Sequence, residues 1–201
     1  MAQAPVRQTR AEKKAETRDR LLRAAEDIAR EQGFARITLE AVATAAGLTK
    51  GAIYSNFESK EDLLVEVLNR LTPGLNLTAE VEDAPDLESF VDRLGPLLGT
   101  TARTRAKQVA LVTEFEALAM RDPALRRAIR ATSARERAVE ELDDEAWLRD
   151  RGIEPPVPAR QFFLVMNALA IGLVTRRVLY GEAEVPDELM TWAFRRLASS
   201  D

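Results

Sequence analysis

The chain has 201 residues, 46% of them apolar and 31% charged, with 29 Lys/Arg against 33 Asp/Glu. That is enough apolar mass for one generous domain or two small ones, under a surface suited to water. Neither cysteine nor histidine occurs, which excludes disulfides, thiolate nucleophiles and sulfur-ligated zinc, and removes the commonest general base and metal ligand. A non-enzyme without cofactor or metal is expected.

Charge is unevenly placed. Residues 1–57 carry ten Lys/Arg and seven Asp/Glu, whereas residues 58–201 carry nineteen and twenty-six. A basic end on an acidic chain suits a polyanion partner, and an uneven scatter of solvated charge looks the same. The opening MAQAPVRQTRAEKKAETRDR has no apolar stretch behind its basic residues, so no secretory signal is expected. Nor does any apolar run approach the roughly 18 residues a membrane helix needs. A cytoplasmic chain with no membrane partner follows as the expectation.

Taken in order, the elements read as helices throughout. Residues 1–16 form a charged tail in which Arg7, Arg10, Lys13 and Lys14 alternate with Glu12 and Glu16. It is either a flexible arm adding phosphate or minor-groove contacts or merely a solvated tail. A first helix is predicted from about Arg18 to Gln32, with Leu21, Leu22, Ala25, Ile28 and Ala29 inward and Gly33 as its stop. Thr38 suits the N-cap of a short helix through Ala46, Gly47 a tight turn, and Thr49 the cap of the next segment. Ser59, with Asp62 three residues on, resembles a capping box opening a helix from Lys60 to Leu71, before the break at Pro73-Gly74. After an irregular connection, apolar stripes follow at about 87–101, 104–121, 123–150, 159–180 and 187–198, with prolines marking bends or breaks. The domains are therefore expected at 1–16 (arm), 17–60 (small helical domain) and 61–201 (larger helical domain).

The segment LTKGAIYSNF (48–57) stands out. Leu48, Ile53 and Phe57 share one side, which leaves Lys50, Gly51, Tyr54 and Ser55 on the other. Glycine inside a helix costs roughly 1 kcal/mol against alanine, so Gly51 calls for a reason outside the fold. Two short helices joined by a glycine-bearing turn describe a helix-turn-helix, whose second helix enters the DNA major groove. A bare glycine then lets the backbone approach DNA closely. Tyr54, Thr49 and Ser55 offer hydroxyls to phosphate, Lys50 a cation for phosphate or guanine, and Lys60 a cation at a helix start. A small three-helix core with polar outward residues would account for each feature singly.

Residues 17–68 closely resemble the DNA-binding domain of the tetracycline-repressor (TetR) family of bacterial regulators. The matching marks are Ala24-Ala25, Gly33-Phe34, Thr38, Ala43, Ala46-Gly47-Leu48, Lys50-Gly51, Ile53-Tyr54, Phe57, Ser59-Lys60 and Leu63-Leu64. Asn56 departs from the histidine or aromatic residue that many members carry. The resemblance implies an all-α fold, with a helix-turn-helix domain followed by a larger ligand-binding and dimerisation domain. It also implies that Thr38, Thr49, Lys50, Gly51, Tyr54, Ser55 and Lys60 face a double-stranded operator. The implied function is a repressor released by a small, largely apolar effector; an effector-independent or nucleoid-type DNA binder is the alternative.

In the second domain, Phe162 to Val174 is apolar nearly all round, so it is expected to be covered on several sides. A second subunit on one side is the economical reading, with Ala168, Ile171, Gly172, Thr175, Trp192 and Phe194 as candidate interface residues; burial within one chain is the other. The resemblance adds a four-helix bundle across a twofold axis, hence a homodimer on a near-palindromic operator. Phe115, Met120, Trp147, Phe162, Phe163 and Met166 could line an effector pocket, with Thr113, Glu116 and Asn167 as its sparse polar anchors, or could be plain core.

Overall fold

The computed structural model of the chain describes residues 9–72, 83–152, 154, 155 and 157–198, and their side chains except those of 133–144 and 198. Every described element is helical: α1 (Arg10–Gln32), a single 3-10 turn (Phe34–Arg36), α2 (Leu39–Ala45), α3 (Lys50–Tyr54), α4 (Lys60–Leu71), α5 (Leu87–Thr104), α6 (Ala106–Arg121), α7 (Pro123–Asp150), α8 (Ala159–Tyr180) and α9 (Asp187–Ala198). No strand occurs among the described residues, as expected of an all-α chain.

Two expected boundaries shift. The helix expected from about Arg18 begins at Arg10, because Thr9 and Glu12 form a capping box. Thr9 Oγ1 accepts from the Glu12 amide at 3.2 Å, and the Glu12 carboxylate accepts from the Thr9 amide at 2.7 Å. Residues 10–16 are thus helical rather than a flexible arm; residues 1–8 of that arm, Arg7 among them, lie outside the described residues. Pro96 does not break α5, which runs through it although the ring removes one amide donor.

The chain divides into two compact units, and not at residue 60. The first takes residues 1–71 together with 111–129; the second takes 72–110 and 130–201. The tip of α6 and the start of α7 therefore belong with α1–α4. Phe115, Ala119 and Leu125 join Leu21, Ala25, Phe34, Ile37, Val42, Ile53, Leu63 and Val67 in one core. Phe115 meets Phe34 edge-on at 5.2 Å. Each such large side chain, fully buried, contributes roughly 1.5–3 kcal/mol. At the rim of this core, Arg70 of α4 bridges Asp19 (2.8 Å) and Glu26 (2.5 Å) of α1, and Arg18 pairs with Glu66.

The second core is built chiefly from α5, α8 and α9, joined by Val109 of α6 and Leu148 of α7. Gly95 and Gly99, one helical turn apart on α5, lie against Thr191 and Asp187, likewise one turn apart on α9; a Cβ at either glycine would overlap a side-chain oxygen of that neighbour. The crossing is close because those two positions are bare. Beneath it the buried Arg177 donates to the Val185 carbonyl at 3.0 Å and pairs with Asp187 and Glu182. Along α8, Phe163, Met166, Ala170, Val174 and Arg177 form the buried stripe, at helical spacing. A second stripe on the same helix, Leu164, Ala168, Ile171 and Leu179, is exposed. By length and composition α8 could cross a membrane, the one such helix among the described residues. This corrects the expectation of no such run: counting 162–174 alone stopped short of a stretch that tolerates a flanking arginine.

Candidate nucleic-acid interface

The α2–turn–α3 segment is positioned by local chemistry. Thr38 caps α2, its hydroxyl accepting from the Ala41 amide at 3.1 Å. Gly47 takes φ +63 in the turn, where a side chain would be strained. Arg20 of α1 donates to the Ala46 carbonyl at 2.8 Å, tying the turn to the first helix. Ile53 and Phe57 anchor α3 in the core. The opposite side of α3, with Thr49, Lys50, Gly51, Tyr54 and Ser55, faces outward, and Tyr54 is 59% exposed.

Each predicted DNA-facing residue has a definite local state. Thr49 occupies the N-cap position, yet its hydroxyl makes no capping bond, contrary to the sequence expectation. Ser55 Oγ donates to the Ala52 carbonyl at 2.9 Å and accepts from the Asn56 side-chain amide at 3.3 Å. Asn56 turns inward, its amide donating to the same carbonyl at 2.7 Å, so it closes α3 rather than presenting an edge to a partner. Ser59 caps α4 through the Asp62 amide at 3.0 Å, which puts Lys60 at the helix start. Lys60 is half-buried and adds to the downward push on Asp122, whose carboxyl is held low chiefly by the amides of Leu125 and Ala124.

Gly51 is informative. Its backbone does not take a positive φ, and a Cβ there would meet only Thr49 Oγ1, at 3.8 Å. Nothing in the fold requires glycine at this position.

Sequence reasoning missed the partner of Lys50. Its ammonium pairs with Glu40 of α2; that contact holds the Glu40 carboxyl below the usual range and the Lys50 ammonium above its own. No spacing rule links positions ten apart across a turn. A carboxylate on a surface otherwise offering hydroxyls and cations was the available signal.

The nine effector-pocket candidates are divided between the two units. Thr113, Phe115, Glu116 and Met120 lie in the segment belonging to the first unit, and Trp147, Phe162, Phe163, Met166 and Asn167 lie in the second. Phe115 is core against Phe34, while Met120 is 72% exposed. Glu116 is exposed, and desolvation by the surrounding chain raises its carboxyl above the usual range. In the second unit, Trp147 meets Phe90 and Phe163 edge-on at 5.0 and 6.0 Å, and Phe163 meets Phe162 at 5.5 Å. A cleft of about 680 Å³ between the end of α7 and the start of α8, with Leu148, Arg149, Pro155, Val157 and Ala159 among its lining, contains none of the nine.

Of the interface candidates, Ala168, Ile171, Gly172 and Trp192 are exposed and Thr175 half-buried. Phe194 is fully buried in the α5–α8–α9 core, and its place at an intersubunit face is corrected accordingly. Leu164, Leu179 and Tyr180, which the sequence reading did not select, are more exposed than Ile171.

Residues 21–67 match the family model of bacterial regulatory proteins, tetR family. Over 65 residues the chain is 45% identical to the HTH-type transcriptional repressor BepR of Brucella suis, an alignment covering 32% of this chain and 31% of BepR. Over 185 residues it is 29% identical to the HTH-type transcriptional regulator CymR of Pseudomonas putida, covering 90% and 89% of the two chains. Among solved structures, the multidrug binding protein EbrR complexed with imidazole superposes with a TM-score of 0.65 at 24% identity, over 92% of each chain. The matched region holds α2, the Gly47 turn and α3 with their outward residues, and the fold extends the likeness over most of the chain. Residues 21–67 thus carry the domain that the tetR family of bacterial regulatory proteins shares, and most of the chain is similar in fold to regulators of that kind.

Proposed function

We propose that the chain is a ligand-responsive repressor that binds a near-palindromic operator as a homodimer and is released by a small, largely apolar effector. The contacting residues are Thr38, Thr49, Lys50, Gly51, Tyr54, Ser55 and Lys60. The observation that carries this reading is the exposed side of α3, with a Gly51 the fold does not need and a Tyr54 left mostly exposed. Hydroxyls and a lysine suit phosphate oxygens and guanine edges, and a tyrosine ring suits the apolar face of a sugar or thymine methyl.

Dimerisation is supported by the exposed stripe of α8 and by Trp192 of α9, an apolar face of the kind soluble chains keep covered. A twofold pair would set two α3 helices one DNA turn apart. Effector response is supported by the fold shared with EbrR, which binds imidazole in its crystal structure. The residues linking site to site are those of α6 and α7, the continuous helices that each contribute to both units; α4 lies wholly within the first. Effector and operator should then weaken each other reciprocally, by roughly 5–150-fold if coupling is typical.

The test is binding to DNA from just upstream of the protein's own gene, against an unrelated duplex, at two salt concentrations, with Tyr54→Ala as control. Selective binding lost in the variant is the expected result. Equal binding to both duplexes with a steep salt slope would favour the nucleoid-type reading, and no binding at either salt would overturn the interface.

A further inference from the structure

Glu40 is the anomaly of the interface. It stands on α2 beside the outward side of α3, where every other named residue offers a hydroxyl, a cation or bare backbone. Its side chain is 66% exposed, and nothing in the first core depends on it. Its one described side-chain partner is the Lys50 ammonium, itself half exposed.

We infer, on the basis of the proposed DNA-binding function, that Glu40 is a specificity residue that keeps Lys50 from contributing to non-specific DNA binding. Non-specific affinity comes almost wholly from cations meeting phosphates and releasing counterions. For Lys50, leaving the Glu40 carboxylate for a phosphate exchanges one solvated anionic oxygen for another and gains little. The exchange also leaves Glu40 unpaired beside a polyanion, which is repulsive. At a matched site the balance differs. A guanine edge carries no net charge to repel Glu40, so the three-donor ammonium can keep one bond to Glu40 while another reaches O6 or N7. Lys50 thus adds affinity where a guanine lies in register and adds none elsewhere. The opposed pKa directions of the two groups agree with a pair that persists in the free protein.

The experiment uses the full chain and a short alternating A·T duplex, which contains no guanine, with dissociation constants measured across a salt series. Glu40→Gln removes the carboxylate's charge and frees Lys50. It should bind this duplex about 2- to 5-fold more tightly at low salt, with a log–log salt slope steeper by about 0.9, the value for one added phosphate contact. Glu40→Gln combined with Lys50→Gln should lose both gains. If Glu40→Gln changes neither affinity nor slope while the wild type binds, the inference fails alone. If the gain survives in the double variant, Glu40 acts as a plain repulsive charge rather than through Lys50, and the inference fails again. A wild type that binds no duplex at low salt overturns the proposed function and this inference with it. Circular dichroism on each variant excludes misfolding, for which an exposed carboxylate gives no reason.

Discussion

Gly51→Ala separates the needs of the fold from those of function. The added methyl meets only Thr49 Oγ1, at 3.8 Å, an ordinary contact. The backbone at this position suits an L residue, since Gly51 is not among the positive-φ glycines. Within α3 the substitution removes the helix penalty of glycine and narrows the unfolded ensemble, which should stabilise the chain by about 0.5–1 kcal/mol. For a chain of this size that corresponds to a rise of about 1–4 °C in melting temperature.

DNA binding should move the other way. A methyl on the approaching side lifts the helix from its partner and lengthens hydrogen bonds to phosphate, each worth about 1.5–3 kcal/mol when charge-assisted. A loss of tenfold or more in affinity is expected, because 1.4 kcal/mol is one decade. Thermal melts followed by circular dichroism and anisotropy titrations with a labelled operator read the two effects separately. Wild-type affinity in the variant would refute close approach as the reason for glycine. A lowered melting temperature would refute the claim that the fold leaves room for a side chain.

Three further outcomes follow from the packing. Gly95→Ala forces a methyl into Thr191 Oγ1 and should destabilise by about 1–3 kcal/mol in urea melts; adding Thr191→Ala should recover only part, since the Thr191 backbone nitrogen lies 3.0 Å from the same methyl. Ile171→Glu places a charge on the exposed stripe of α8, so sedimentation should show a monomer with an unchanged far-ultraviolet spectrum; a persisting dimer would discount that face. Asp19, Asp86 and Asp122 all have depressed folded-state pKa values, through Arg70, the Ser89 amide and the Leu125 and Ala124 amides respectively. Their contribution is therefore fully present above the unfolded carboxylate value near pH 4 and is lost as pH falls through the lower folded values. The urea midpoint should fall modestly as pH drops below about 4, and a flat profile there would refute the assignment.

How far the fold could be read from sequence depended on whether the deciding contact was local. Ile53 and Phe57 carry their own period, so α3 was legible although it is only one turn and a half. The start of α1 was not, because Thr9 and Glu12 extend it through residues with no apolar stripe to mark them. Trp192 and Phe194 were both assigned to one interface, yet two positions on a helix stand about 200° apart. One of them had to face inward, and the buried one is Phe194. Helical geometry alone would have forbidden the pair, although it would not have said which to drop.

The two candidate sites differ in legibility for a related reason. An operator presents fixed chemistry, a polyanion with grooves of constant width, and one short stretch around a turn suffices to meet it. An effector pocket is a volume left between side chains of distant segments, so its lining depends on which core each helix joins. Phe115 shows the difficulty. By composition α6 resembles a pocket wall, since its apolar residues are dense and broken by carboxylates. The position of Phe115 against Phe34 and the bond from the Ala35 amide to Glu114, at 3.3 Å, instead make that stretch a brace for the segment leading into α2. At Gly33 a Cβ would lie 2.6 Å from Glu114 Oε1, so the carboxylate lies directly over this turn. Residues 106–110 of the same helix belong to the other unit. A helix with one end in each unit is poorly placed to be judged by its own periodicity, because its two ends answer to different neighbours.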